Sequence, residues 1–261
     1  MALPDRLEST VDVIDFDRRF SGLGRLYGTD SALRIQASHV VVVGIGGVGS
    51  WTAEALARSG VGRMTLIDLD HIAESNVNRQ IHALSSTLGK AKIEAMRERI
   101  EQINPYCVVN CLDTFVAPDN WLELLPSSAD AVVDACDQVK TKIALAHWAR
   151  NASCVFVSVG AAGGKRYAHR VQISDLSEVT HDPLLAQVRN HLRKHHAAPR
   201  ERKSIGVSCV FSDESVQQPE KICQDRLDPS LNCHGYGSLV TVTATFGMCA
   251  AGWVMDKISQ I

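Results

Sequence analysis

Nine glycine and polar positions have the types and spacing to work on a nucleotide. Gly44-Ile45-Gly46-Gly47-Val48-Gly49 follows the apolar run Val40-Val41-Val42-Val43, and Asp68, Asn76, Arg79, Lys92 and Asp137 follow in order. In a Gly-x-Gly-x-x-Gly turn between strand and helix, the first glycine permits a tight turn and the second lets backbone approach a phosphate. The third lets helix and strand pack closely, and the amides opening the helix attract the anion. Asp68, at the end of the second strand, stands where a carboxylate meets a ribose hydroxyl. Most such loops serve nicotinamide or flavin dinucleotides, but hydride transfer needs no cationic clamp on a phosphate. Nucleotidyl transfer from ATP does, because charge develops at the α-phosphate and pyrophosphate, and it usually uses Mg²⁺. Arg79, Lys92, Asn76 and the carboxylate of Asp137 suit that second chemistry. Each also has a plain alternative: Arg79 and Lys92 as surface charges, Asp137 as the cap of the following helix.

Alternating strands and helices must position these groups. Apolar runs near 40–43, 63–68, 107–112, 130–134 and 154–159 predict strands, and helical runs near 49–59, 89–103, 118–125 and 138–151 separate them. The pattern predicts an α/β chain with a Rossmann-like, doubly wound, mostly parallel sheet. Groups at the strands' carboxyl ends then converge on one crevice. Residues 1–38 read as an N-terminal arm with a basic segment, Arg18 to Arg25, and a short helix near 31–37. Residues 39–164 form the nucleotide-binding core. Beyond the loop Gly160-Ala161-Ala162-Gly163-Gly164, residues 165–261 read as a smaller, irregular second lobe, with strands at 165–174 and 204–211 and a helix near 183–195.

The chain has 261 residues, 45% of them hydrophobic, enough for a sizeable core, and a formal charge of -2, so any nucleic-acid surface must be local. Arg189, Arg193, Lys194, Arg200, Arg202 and Lys203 are the dense basic run; such a run also reads as a solvated helix face. The eight cysteines include no Cys-x-x-Cys pair, so no structural zinc clip is signalled. Cys233, in a polar loop beside His234, is the best candidate for a reactive thiol. The N-terminus lacks an apolar signal run, which suits the cytoplasm. The uncharged run 235–255 is long enough for a hydropathy scan to mark it as membrane-spanning. Its glycines, threonines and serine make it instead a buried element of the fold or of a dimer interface.

These motifs resemble the adenylation domain shared by ubiquitin-activating enzymes and the bacterial ThiF and MoeB adenylyltransferases, matching through Gly44, Gly46, Gly47 and Gly49, then Asp68-Leu69-Asp70, Ser75-Asn76-Val77-Asn78-Arg79-Gln80, Lys92 and Asp137. The resemblance implies ATP binding by these residues. It assigns the ribose to Asp68, phosphates to Asn76, Arg79 and Lys92, and Mg²⁺ to Asp137; Asp70 and Gln80 belong to the same set. It also implies a homodimer in which an N-terminal arginine, Arg19 or Arg25, enters the partner's site. Arg25-Leu26-Tyr27-Gly28, Arg79 to Leu84 and Val240 to Gly247 resemble more narrowly the branch of tRNA threonylcarbamoyladenosine dehydratases. That branch implies cyclisation of a modified adenosine beside the tRNA anticodon by way of an adenylated carboxylate. It also implies a link to a cysteine desulfurase and its sulfur acceptor, and leaves a monovalent-cation requirement open. The missing zinc cysteines count against the alternative, activation of a ubiquitin-like sulfur-carrier tail; a non-catalytic nucleotide-sensing adaptor is the third reading.

Overall fold

The computed structural model describes residues 15–200, 203–217 and 236–261. Seven strands form one sheet: β1 (His39–Val43), β2 (Arg63–Ile67), β3 (Val108–Leu112), β4 (Ala131–Asp134), β5 (Val155–Val159), β6 (Val171–Asp175) and β7 (Ser208–Ser212). Their order is β3-β2-β1-β4-β5-β7-β6, parallel throughout except that β6 runs antiparallel to β7. The chain winds outward from β1 to β3 and then returns to lay β4 against the other side of β1. That reversal opens a crevice beyond the carboxyl ends of β1 and β4.

All five residues of β1 are buried, as a central parallel strand requires. Val40 and Val42 face one apolar layer, built with α3 (Gly49–Arg58), α4 (Lys92–Ile103) and the C-terminal helix. Val41 and Val43 face the other, built with α5 (Trp121–Leu124), α6 (Val139–Ala149) and α7 (Pro183–His195). The period-two alternation of one valine run thus sets two helix layers on a single sheet. The 235–255 run becomes α8 (Val240–Ser259), packed along α3 with Val242, Phe246, Ala250 and Val254 buried. No helix among the described residues is long and apolar enough to cross a membrane.

Two features differ from the expectations. The basic N-terminal segment is a full helix, α1 (Phe16–Tyr27), followed by α2 (Thr29–Ala37). Asp15 caps α1 by accepting from Arg18 N at 3.0 Å, and Phe16 stacks on Phe20 and Tyr106. Tertiary packing therefore overrides the low helix propensity of Gly22 and Gly24. Beyond Gly164 the chain also rejoins the sheet as β6 and β7, so there is no break in the sheet at that loop.

Candidate active site

The glycine loop leaves β1 at Gly44, whose φ of 85° L side chains rarely adopt; a Cβ there would lie 2.9 Å from Ala135 O, in the loop after β4. A Cβ on Gly49 would lie 1.8 Å from Gly44 O, so the loop also closes on itself. Gly46 differs: a Cβ there would meet nothing within 4 Å. The loop is tight against β4 and open at Gly46, and that open side is where a phosphate can come close to backbone.

Asp68 folds back onto this loop. Its Oδ2 accepts from Ile45 N at 2.6 Å and its Oδ1 from Asp70 N at 2.8 Å. Burial pushes its carboxyl pKa up, against the opposing pull of Lys92 and the two amides. Lys92 opens α4, is 6% exposed, and donates from Nζ to Asp70 Oδ2 at 2.6 Å. Asp70 therefore aims the lysine, a role its place among the nucleotide ligands did not suggest.

Asn76 closes a 3₁₀ turn, Glu74–Asn76, and its Oδ1 accepts from Ala73 N at 3.1 Å, which leaves its Nδ2 donors for an anion. The stem of Arg79 lies beside Gly47, with Cγ 3.4 Å from a Cβ built there, and Nη1 donates to Ser75 O and Asn78 Oδ1. Its carbonyl accepts from Trp51 Nε1 on α3 at 2.9 Å and from Thr243 Oγ1 on α8 at 3.3 Å. The C-terminal helix thereby fixes a cation at the loop's mouth. Gln80 beside it is buried, with Oε1 unpartnered among the described residues. Asp137 is exposed in the loop after β4; Gln138, not Asp137, takes the cap position of α6, and no side chain bonds to that helix end. The capping alternative therefore does not hold.

The two N-terminal arginines separate. Arg19 Nη1 donates to Ile103 O at 2.7 Å and Gln102 O at 3.4 Å, closing the C-terminus of α4 in its own chain. Arg25 is exposed, with a contact to Ser21 Oγ at 3.3 Å on its own helix.

A family model described as the ThiF family matches residues 19–261. The chain belongs to the ThiF family. It is 43% identical over 246 residues to the tRNA threonylcarbamoyladenosine dehydratase of Haemophilus influenzae, covering 94% of each chain. It is 41% identical to the Escherichia coli enzyme of the same name, covering 92% of this chain and 93% of that one. The crystal structure of the Escherichia coli enzyme in complex with ATP superposes with a TM-score of 0.84 at 42% identity, over 93% of this chain and 94% of that one.

This ThiF-family chain also holds two groups that sequence reasoning missed. His82 is 2% exposed and its Nε2 lies 2.9 Å from Ile45 O; a carbonyl only accepts, so the proton sits on Nε2. Burial lowers its pKa to about 4, so the ring is neutral near neutral pH. Ile45 is therefore held through its amide by Asp68 and through its carbonyl by His82, and the glycine loop is locked from both sides.

The second group is Asp134 with Lys142, both fully buried, Nζ to Oδ2 at 3.0 Å. Lys142 also donates to Asp134 O and Ser158 Oγ, and Ser158 Oγ donates to Asp134 Oδ2 at 2.7 Å. Burial alone would lower the lysine pKa, but the Asp134 carboxyl beside it holds it up. The pair lies directly beneath the loop that carries Asp137.

The described part of the basic run lies away from the crevice. α7 starts beside the sheet's carboxyl end, where Asp182 Oδ2 accepts from Ala161 N at 2.9 Å, and descends 13 residues, about 20 Å, to the opposite end. There Arg150, closing α6, donates to His196 O. Arg189 is committed to Leu176 O and Val179 O, and Arg193 to Pro199 O. Arg202 and Cys233 lie outside the described residues. Burial raises the pKa of all six described cysteines, with Cys107 pushed up to about 12 and Cys111 and Cys154 to about 11. None is an activated thiol.

Proposed function

We propose that this protein uses ATP to cyclise threonylcarbamoyladenosine beside the anticodon of tRNA. The observation that carries the reading is near-complete coverage of dehydratases of that name at above 40% identity. The substrate carboxylate attacks the α-phosphate of ATP, and pyrophosphate leaves. The carbamoyl nitrogen then bonds to the activated carboxyl carbon, gives up its proton, and AMP departs with the electron pair of the broken C–O bond. Arg79 and Lys92 offset the charge that develops on phosphate oxygens; Asp68 receives the ribose, and the loop at Gly46 admits the phosphates.

Asp137 fits a magnesium ion shared with substrate phosphates, because its carboxylate is exposed at the crevice and not engaged as a helix cap. Among the described residues no group of three His, Cys, Asp or Glu could hold a metal unaided, so the substrate oxygens would complete the coordination. Mg²⁺ there supplies charge neutralisation. A homodimer with Arg25 reaching the neighbouring crevice completes the reading, since Arg19 is already spent on α4. The link to a cysteine desulfurase and its sulfur acceptor belongs to the same reading, as does an open monovalent-cation requirement. Activation of a protein tail is the weaker alternative, because an acyl acceptor thiol needs a lowered pKa and the described cysteines all move the other way. The test incubates the protein with ATP, Mg²⁺ and tRNA carrying the nucleoside. Equimolar AMP and a nucleoside lighter by one water support it; ATP turnover with a sulfur-carrier protein but not with this tRNA overturns it.

A further inference from the structure

On the reading that tRNA is the substrate, we infer that residues 166–169 form its RNA-recognition element, with Tyr167 stacking an unpaired anticodon-loop base and Arg166 meeting a phosphate. The segment follows Gly164 and leads into β6, which runs antiparallel, so it lies at the carboxyl end of the parallel strands, level with the crevice. β6 is three strand spacings from β4, about 14 Å. A base beside the modified adenosine can reach that far.

The segment is built to be presented. Arg166, Tyr167 and His169 are exposed, Tyr167 by 50%, and the Tyr167 and His169 rings stand 5.7 Å apart, tilted by 46°. Beneath them two charged side chains are buried. Glu214, 2% exposed, accepts from Arg166 N at 2.9 Å and from Tyr167 N at 3.0 Å. Lys165, 3% exposed, donates to His181 O at 2.9 Å, to Ser212 O, and to Glu214 O. Burying a carboxylate and an ammonium is costly, and here both are spent on fixing backbone under an aromatic ring and a guanidinium. A solvated turn needs no such anchor, whereas a preorganised platform loses less entropy when it binds.

The chemistry favours RNA over a protein tail. Base–aromatic stacking accepts any π-face, and a guanidinium beside it contacts the backbone. Arg170 is neutralised by Asp213, Nε to Oδ1 at 2.6 Å, so Arg166 carries the local positive charge. The basic part of α7 lies at the other end of the sheet and does not border the crevice.

The experiment uses the full-length protein and an anticodon stem-loop RNA carrying threonylcarbamoyladenosine, with Tyr167→Ala, Tyr167→Phe and Arg166→Ala beside wild type. Tyr167→Ala should raise KM for the RNA roughly five- to hundredfold, the range of a lost base stack, while Tyr167→Phe stays near wild type. KM for ATP and Tm should not change in either. Arg166→Ala should flatten the slope of log affinity against log salt by about 0.7. Wild-type RNA binding by Tyr167→Ala, or equal losses in Tyr167→Ala and Tyr167→Phe, would overturn the inference while leaving the enzymatic reading intact. Failure of wild type itself to bind or cyclise the RNA would instead remove the reading on which it rests.

Discussion

Replacing Lys142 by methionine should remove a large share of the protein's stability, although methionine fills nearly the same volume. The ammonium sits 3.0 Å from Asp134 Oδ2 with both side chains fully buried. At an effective dielectric near 20, two unit charges at that separation attract by about 5 kcal/mol. Lys142 has three partners, Asp134 Oδ2, Asp134 O and Ser158 Oγ, so all three of its donors are used. Without it, the Asp134 carboxylate stays buried with, among the described residues, only Ser158 Oγ and the Cys136 amide and thiol to solvate it. Breaking such a pair from one side costs about 3–5 kcal/mol, against a total stability of about 5–15 kcal/mol. Removing the second charge as well, in Lys142→Met with Asp134→Asn, should recover about 2 kcal/mol, because the stranded charge is gone and Ser158 keeps an acceptor. Urea unfolding followed by tryptophan fluorescence gives the midpoints, with an unchanged m-value showing that stability alone has moved. A single variant within about 1 kcal/mol of wild type, or a double variant as unstable as the sum of the singles, would refute the assignment.

Other expectations follow from the same site. Gly49→Ala should destabilise the fold by roughly 3 kcal/mol, since its Cβ would fall 1.8 Å from Gly44 O; Gly46→Ala should leave Tm in place yet raise KM for ATP at least tenfold, and equal behaviour of the two would contradict the assigned phosphate side. His82 is neutral in the fold with a pKa of about 4, so the unfolded chain binds the extra proton. Stability should then fall as pH drops from about 6.5 to about 4, by up to roughly 3 kcal/mol from this group, and His82→Leu should flatten that stretch of the profile. Asp175 runs the same way at lower pH: hydrogen bonds from Ile205 N and Ser177 N outweigh burial and hold its pKa at about 2. It contributes above about 4 and loses its contribution as pH falls towards 2, and Asp175→Asn should remove about 1–2 kcal/mol at neutral pH after allowance for solvent screening. Arg25→Ala and Asp137→Asn should each be inactive, yet mixing them should restore about a quarter of wild-type activity, because half the dimers are mixed and each has one complete site. No recovery on mixing, with exchange of subunits confirmed, would place Arg25 in its own chain's site or in none.

Much of this was legible because the chain is locally consistent. The valine run, the glycine loop and the helix stripe of Ile93, Met96 and Ile100 each have one physical reading, and β1 to β5 lie within about a residue of where the apolar runs place them. The reading of the polar set rests on the switch-point rule, which brings strand ends together whatever the loops do. What escaped depends on long-range contact. Nothing local distinguishes Lys142 from a surface lysine, or His82 from any histidine in a polar turn; their roles come from Asp134 and Ile45, which the fold supplies. The antiparallel β6 was drawn six residues early because nothing local marks the start of the strand, while Glu214, 48 residues after Arg166, holds the preceding segment as a turn. The basic run misled because charge density in sequence does not say which end of a helix faces the crevice.

The most direct measurement follows oxygen. With both oxygens of the threonylcarbamoyl carboxylate replaced by ¹⁸O, one turnover with ATP and Mg²⁺ should place one label in AMP and leave one in the ring carbonyl of the product. The labelled oxygen that attacks the α-phosphate stays on phosphorus when the C–O bond breaks. Unlabelled AMP, or label appearing in inorganic phosphate beside ADP, would contradict adenylation of the carboxylate and with it the roles given to Arg79, Lys92 and Asp137.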